Sequence, residues 1–469
     1  MDEKEKTPGQ LRREELFSRK KNGWDLVDEK TEAAIFAYGE DYKAFLNAAR
    51  TERLAVKAAV ARAEEKGFKP FERGMYLRPG DKIYRVNRGK AVTLAVVGSA
   101  PLDQGAVIAA AHIDSPRLDL KPAPLFEDSE LAFFKTHYYG GLRKYQWVAI
   151  PLELHGVVAL KSGDVVDIEI GRDPADPRFT ISDLLPHLSA DQNKKALSEA
   201  VPAEKLNLLI GSRPFRGDEG SDRVKLAVLD LLNEKYGITE DDFFSAELEA
   251  VPAFDAVDLG FDRSLIGSYA HDDRVCAYAA LRALLDLEGT PRRTAVCVLV
   301  DKEEIGSEGT TSMRAAAFDS FMSDLCDTQR VPLKVCYERS FCLSADVTAA
   351  FDPNFPEVFE KRNASRLSYG VGLCKYTGAR GKSGASDASA EAMGFLRRIL
   401  DDRNIPWQMC ELGKTDQGGG GTVAKFMAER DVDTVDAGVP VLSMHAPFET
   451  VSKLDCWMTA QAVRAVFEM

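Results

Sequence analysis

Four short apolar segments constrain the fold of this 469-residue chain most, because each runs directly into histidine or carboxylate residues. An apolar run without a polar face is typical of a strand that is buried on both sides. The segments are GAVIAAA before His112 and Asp114, TAVCVLV before Asp301, Glu303 and Glu304, FCLSA before Asp346, and VPVLSM before His445. Ligand sites of open α/β sheets form at the carboxyl ends of strands, so we expect these side chains to meet.

Helical patterns lie between the four segments and predict an α/β domain with a mostly parallel sheet. Helices are expected over much of the first 70 residues, after Asp273, at 387–402 and at the C-terminus, DCWMTAQAVRAVFEM. Residues 82–98 are expected to form a hairpin around Asn-Arg-Gly-Lys.

The middle of the chain has a different pattern. Residues 131–172 are rich in β-branched and aromatic residues, and a helical pattern at 224–237 precedes the strand-like run DFFSAELEAVPAF. We therefore predict a discontinuous catalytic domain, 1–118 and 258–469, interrupted by a β-rich domain at 119–257.

Composition and charge argue against several classes of protein. The chain has 61 Lys and Arg against 74 Asp and Glu, a net charge of -13, which disfavours a nucleic-acid binder. No apolar run approaches the ~18 residues of a membrane span, and the charged N-terminus lacks a signal peptide. None of the eight cysteines has CxxC spacing, which favours reduced thiols in a cytoplasmic protein over extracellular disulfides.

Two imidazoles and three carboxylates can hold two divalent ions if one carboxylate bridges them, and the candidates are His112, Asp272, Glu304, Asp346 and His445. Taken alone, the pair Asp272-Asp273 is explained equally well as a helix N-cap. The adjacent acids Glu303 and Glu304 follow an apolar run, where their charges would repel unless a cation lies there. Nitrogen and oxygen ligands suit Zn²⁺, while Co²⁺ or Mn²⁺ would also be accepted.

Two further carboxylates have roles beside such a metal pair. Glu303 adjoins the ligand Glu304 and can serve as the general base that activates water. Asp114 stands two residues after His112, on the same side of an extended chain, and can hydrogen-bond the imidazole.

Five motifs in this order resemble those of the aspartyl aminopeptidase family, the eighteenth metallopeptidase family. They are AHIDSPRLDLKP at 111–122, HDDRVCAYAAL at 271–281, DKEEIGSEG at 301–309, SADVTAAFDPNF at 344–355 and SMHAPFET at 443–450. The resemblance implies a di-zinc exopeptidase in which one metal is held by His112 and Asp346 and the other by Glu304 and His445. It also implies that Asp272 bridges the metals, Glu303 activates water and Asp114 supports His112.

The same resemblance implies a homo-oligomer, a tetrahedral dodecamer built from dimers through the inserted domain. His187 in TISDLLPHLS matches a histidine that reaches a neighbouring subunit's active site. Ser182 and Asp183 replace the usual isoleucine-proline upstream, and an exposed or structural His187 is the alternative. Lys375 and the glycines Gly418 and Gly419 are expected to border the substrate, with solvated or flexible loops as the alternatives.

These observations predict a metallo-aminopeptidase that releases N-terminal residues from peptides with a free N-terminus. A preference for acidic residues follows from the family name and from Lys375. One alternative is another di-metal amide hydrolase, of the deacetylase or carboxypeptidase type. The other is a non-catalytic assembly protein that retains the fold.

Overall fold

A computed structural model describes residues 6–469, and the charged start of the chain, residues 1–5, lies outside the described residues. Helices form where the apolar-charged patterns predicted them, including the three N-terminal helices and the C-terminal one. The α-helices are α1 Pro8–Leu16, α2 Glu29–Ala48, α3 Glu52–Glu65, α4 Leu197–Ala200, α5 Arg223–Tyr236, α6 His271–Leu285, α7 Ala317–Asp327, α8 Leu333–Glu338, α9 Ala390–Asp402, α10 Ala424–Ala428 and α11 Lys453–Phe467.

The strands of the described residues form three sheets. In chain order they are β1 Lys69–Pro70, β2 Lys82–Asn87, β3 Ala91–Val96, β4 Val107–His112, β5 Arg117–Asp128, β6 Leu131–Tyr139, β7 Leu152–Ala159, β8 Val165–Ile170, β9 Asn207–Gly211, β10 Ala246–Pro252, β11 Val257–Leu259, β12 Leu265–Ser268, β13 Ala295–Val300, β14 Phe341–Ser344, β15 Thr348–Ala349, β16 Val371–Cys374, β17 Trp407–Met409, β18 Asp433–Gly438, β19 Pro440–Leu442 and β20 Glu449–Ser452.

A nine-stranded sheet carries most of the predicted ligands, in the order β1-β2-β3-β13-β4-β14-β18-β16-β17. Its four central strands, β13, β4, β14 and β18, run parallel, whereas β2 and β3 form the predicted antiparallel hairpin. On β4, Ala109 and Ala111 pack into one apolar core and Ile108 and Ala110 into another on the opposite face. Burial on both faces explains why these strands are apolar throughout.

The prediction that VPVLSM belongs to the same sheet is wrong. Its strand β19 pairs with β15 and β20 in a separate five-stranded sheet, in the order β11-β12-β20-β19-β15. The fourth parallel central strand is β18, which the sequence reading missed because its residues DTVDAG include two aspartates. His445 therefore reaches the site from the loop after β19, with a left-handed backbone of φ 65°.

A six-stranded sheet, β8-β7-β10-β5-β6-β9, contains strands from residues 117–252 alone. Every pairing in it is antiparallel, and a third apolar core that includes Phe134, Leu154 and Phe243 covers one face. Strand β5 begins at Arg117, two residues before the predicted start of the insert at 119. The division into two domains stays a prediction.

All eight cysteines are free, and seven of them are buried. This is the arrangement expected of thiols that act as small apolar core residues. Across residues 6–469, no helix combines the length and the apolar character that crossing a bilayer requires.

Candidate active site

The carboxyl ends of the central parallel strands open into a cavity of about 600 Å³. Strand β4 ends at His112, β13 leads into the short 3-10 turn Glu303–Ile305, and β14 leads into Asp346. His445 enters from the five-stranded sheet, and Asp272 enters from the start of α6. All five predicted metal ligands, together with Glu303, line this cavity.

The carboxylate of Asp272 lies between the two imidazoles. Its Oδ1 is 3.2 Å from Nε2 of His112, and its Oδ2 is 3.1 Å from Nε2 of His445. Each oxygen therefore faces one imidazole, as a carboxylate that bridges two ions must. Glu304 lies on the His445 side, with its Oε2 3.5 Å from Nε2 of His445. Asp346 lies on the His112 side, with its Oδ1 3.9 Å from Nε2 of His112.

Asp114 holds the His112 side of the site. Nδ1 of His112 lies 3.0 Å from the backbone carbonyl oxygen of Asp114 and 3.3 Å from its carboxylate Oδ1. The same carboxylate accepts hydrogen bonds from the backbone N–H groups of Glu303 and Glu304, both at 3.1 Å, and from the hydroxyl of Tyr139 at 2.8 Å. Asp114 thus connects the end of β4 to the turn after β13.

Glu449 holds the His445 side of the site, and the sequence analysis did not single it out. Its Oε1 accepts a hydrogen bond from the backbone N–H of His445 at 2.7 Å, and its Oε2 accepts one from the backbone N–H of Asp272 at 3.1 Å. Nδ1 of His445 lies 2.7 Å from the carbonyl oxygen of Gly141, so it carries the proton in this hydrogen bond. The sequence feature that could have revealed Glu449 is its position in the motif SMHAPFET, four residues after His445.

The carboxylates of the site are buried and crowded, which disfavours their charged forms. Burial is the main cause that raises the pKa of Glu303 to about 7, and the charges of Asp114 and Asp272 add to it. Burial likewise raises the pKa of Glu304 and Asp346 well above the usual range. Carboxylates that are buried and crowded in this way are stabilised in their charged form by nearby cations.

Two groups of side chains can hold cations. One comprises His112, Asp272 and Glu304, and the other His112, Asp273 and Asp346, with donor atoms within 4.8 Å of one another in each. Oε1 of Glu304 is buried without a hydrogen-bond partner among the described residues. A buried, unpartnered acceptor beside imidazole nitrogens fits divalent metal ions.

The Asp273 side chain does not cap α6, in contrast to the N-cap that the sequence offered as the alternative. Asp272 and Asp273 have non-helical backbone angles, and both Asp273 carboxylate oxygens are buried without hydrogen-bond partners in the described structure. The preceding His271 is structural. Its Nε2–H donates to the carbonyl of Ile266 at 3.1 Å and its Nδ1 accepts from Tyr42 at 2.8 Å, while burial lowers its pKa to about 3.

The other predicted residues are distributed differently. Gly418 and Gly419 line the cavity, but Lys375 is not part of its lining and pairs with Asp387 at 2.7 Å. His187 is exposed on the 3-10 turn Pro186–Leu188, away from this cavity. The basic side chains in the cavity wall are Arg380, Lys382, Lys414 and Lys425.

The mixed α/β fold and a cavity built from imidazoles around a shared carboxylate define a metal-dependent hydrolase. The sequence model of the M18 peptidases, described as "Aminopeptidase I zinc metalloprotease (M18)", matches residues 45–467. A probable M18 family aminopeptidase 1 from Clostridium acetobutylicum is 46% identical over 459 residues, which cover 96% of this chain and 98% of the relative.

Solved structures agree with this assignment. An M18 aminopeptidase from Thermotoga maritima is 45% identical and superposes with a TM-score of 0.92, over 96% of this chain and 100% of that one. A Saccharomyces cerevisiae relative at 18% identity shares the fold, with a TM-score of 0.74 over 92% of this chain and 96% of its own. The chain belongs to the M18 family and is a zinc metallo-aminopeptidase, which decides against the deacetylase, carboxypeptidase and non-catalytic alternatives.

Proposed function

We propose that this aminopeptidase uses two zinc ions, one held by His112 and Asp346 and the other by Glu304 and His445. Asp272 bridges them in this proposal. The observation that carries it is the position of the Asp272 carboxylate, whose two oxygens lie 3.2 and 3.1 Å from the Nε2 atoms of the two imidazoles. Two divalent ions would offset about four of the five carboxylate charges gathered here.

Such a metal pair, when bound, polarises the scissile carbonyl and lowers the pKa of water. Glu303 supplies the proton transfer in our proposal. Its side chain lines the cavity beside the proposed ligand Glu304, where a carboxylate can take a proton from the attacking water. The same carboxyl then returns this proton to the leaving amine. Asp114 keeps Glu303 in place through the 3.1 Å bond to its backbone N–H.

The charge distribution of the cavity suggests how a peptide binds. The carboxylates around Asp272 favour a positively charged N-terminal amine. Arg380 and Lys414 line the same cavity and favour an acidic side chain of the substrate, whereas Lys382, like Lys375, pairs with Asp387. We therefore extend the proposal to a preference for acidic N-terminal residues, with these groups taking the role first assigned to Lys375.

We further propose a homo-oligomer, a dodecamer built from dimers, in which residues 119–257 form the assembly domain of a catalytic unit made of 1–118 and 258–469. Two observations support this assembly. The solved structure of the Saccharomyces cerevisiae relative is a dodecamer, and the six-stranded sheet draws its strands from 117–252. His187 is exposed in this segment and is available to reach a neighbouring site.

The eight free cysteines support a cytoplasmic location.

A screen of zinc-reconstituted protein against twenty aminoacyl reporter substrates tests the substrate proposal. The matched control is the same set with N-acetylated amines, and native mass measurement gives the size of the assembly. We expect hydrolysis of free-amine substrates only, with acidic residues cleaved fastest. Equal hydrolysis of blocked substrates would contradict recognition of the N-terminal amine, and a flat residue profile would contradict the acidic preference.

A further inference from the structure

Three consecutive residues at the end of β6 and just after it, Tyr139, Gly140 and Gly141, contact three of the site residues. The Tyr139 hydroxyl donates to Asp114 at 2.8 Å, and the Gly141 carbonyl oxygen accepts from Nδ1 of His445 at 2.7 Å. Gly140 lies between them against Glu304, where an added Cβ would come within 3.3 Å of the Glu304 side chain. The segment 139–141 therefore touches both sides of the proposed metal pair.

Tyr139 is itself held firmly. Its ring is buried, and the guanidinium of Arg117 lies 3.8 Å from the ring centroid. Arg117 is fixed in turn by buried carboxylates, Glu249 at 3.1 Å and Glu52 at 3.5 Å. The aromatic ring thus has one position, from which its hydroxyl reaches the Asp114 carboxylate.

The Gly141 carbonyl decides which nitrogen of His445 carries the proton. Because a carbonyl oxygen only accepts, Nδ1 must donate, so in the neutral imidazole the lone pair is on Nε2, which faces Asp272 at 3.1 Å. An added Cβ at Gly141 would lie 3.3 Å from this Nδ1, closer than a side chain normally packs. The carbonyl can hold the imidazole at this distance because the residue is glycine.

We propose that segment 139–141, which belongs to the β-rich insert, orients both metal-binding imidazoles. Tyr139 is a positioning residue for His112 through Asp114, and Gly141 is a positioning residue for His445. This inference rests on the proposed metal pair. The insert then shapes the chemistry within its own chain, in addition to any role in assembly.

Hydrogen-bond partners behind metal ligands typically contribute 10- to 100-fold in metal affinity. Tyr139→Phe removes only the hydroxyl, and Gly141→Ala adds one methyl group against the imidazole. The matched control is Tyr138→Phe, because Tyr138 precedes Tyr139 on the same strand and is 40% exposed. We expect Tyr139→Phe to weaken one of the two metals and Gly141→Ala the other, each by about tenfold or more.

The experiment titrates the metal-free full-length chain with Co²⁺, follows the visible absorption of the bound ions, and measures Zn²⁺ affinity by competition with a chelator. Thermal unfolding of the same metal-free proteins reports any general loss of folding. The control should bind both ions like the wild type. A variant whose melting temperature falls while both affinities stay unchanged has a merely structural defect and would overturn the inference for that residue.

Failure of the proposed metal pair and failure of this inference give different results. A wild-type chain that takes up fewer than two ions overturns the proposed metal pair and this inference with it. If the wild type binds two ions and both variants, Tyr139→Phe and Gly141→Ala, bind them with wild-type affinities, only the inference is overturned. If Tyr139→Phe does not fold, the Gly141→Ala titration still decides whether Gly141 orients His445.

Discussion

Replacement of Glu303 by glutamine tests the proposed proton transfer with little disturbance to the site. The change keeps the shape of the side chain and the 3.1 Å bond from the residue's backbone N–H to Asp114. It removes the only function that the proposal gives to this side chain, that of accepting a proton from water. Glu303 lies 4.0 Å from Nε2 of His112 and is not among the residues grouped around the candidate cation positions.

The expected size of the effect follows from this geometry. General acid–base catalysis contributes about 10²–10⁴-fold, so kcat should fall by that factor, or about 3–5 kcal/mol in activation free energy. Bound zinc and KM should change little, because the substitution leaves the five proposed ligands in place. This split between kcat and KM is the signature of a group that acts only in the transition state.

The assay is steady-state hydrolysis of an aminoacyl reporter by zinc-loaded protein, with zinc content measured on the same preparation. Glu308→Gln is the matched control, since this glutamate is exposed and pairs only with Arg314 among the described residues. A Glu303→Gln enzyme with two zinc ions and wild-type kcat would refute the assignment. Loss of zinc along with activity would instead make Glu303 a ligand.

Three other substitutions have definite expected outcomes. Asp272→Asn should reduce bound zinc below two ions per chain, measured by elemental analysis, because an amide nitrogen would face one imidazole. Tyr42→Phe leaves Nδ1 of buried His271 without its donor and should cost about 1–3 kcal/mol in unfolding free energy, visible in thermal or urea unfolding. An unchanged stability would count against this bond. His187→Ala should be inactive alone but recover activity in mixed oligomers with Glu303→Gln; no recovery would argue against a shared site.

Much of the parallel sheet could be predicted because the responsible forces are local. A strand buried on both faces must be apolar along its whole length, and β4, up to its terminal His112, and β13 follow that rule. Polar residues that follow such strands are conspicuous, so His112 and the pair Glu303-Glu304 were readily found. The helices at 387–402 and at the C-terminus were predicted from a local pattern of the same kind, whereas α7 and α8 were not predicted.

The missed parts depend on contacts between distant positions. Strand β18 contains Asp433 and Asp436, so hydropathy alone did not reveal it as a central strand. The pairing of β19 with β20 places His445 in a different sheet, and no local pattern encodes that choice. Tyr139 ends β6 of the six-stranded sheet and Gly141 follows it, and a sequence pattern does not show that they fold back onto the active site.

Sequence spacing alone does not show which basic residues line the cavity. Lys375 follows strand β16 and was a reasonable candidate for an anion pocket, but the nearby Asp387 pairs with its ammonium at 2.7 Å. Loop residues further along, such as Arg380 and Lys414, form part of the wall instead. Loop conformation decides this outcome, and loop conformation is weakly encoded by residue type.

The central claim is that Asp272 bridges two zinc ions held by the ends of three strands and one loop. Anomalous X-ray diffraction at the zinc edge, on crystals of the zinc-loaded full-length chain, tests it most directly. The account predicts two peaks, one beside His112 and Asp346 and one beside His445 and Glu304, with Asp272 between them. A single peak, or a second peak remote from Asp272, would contradict the account.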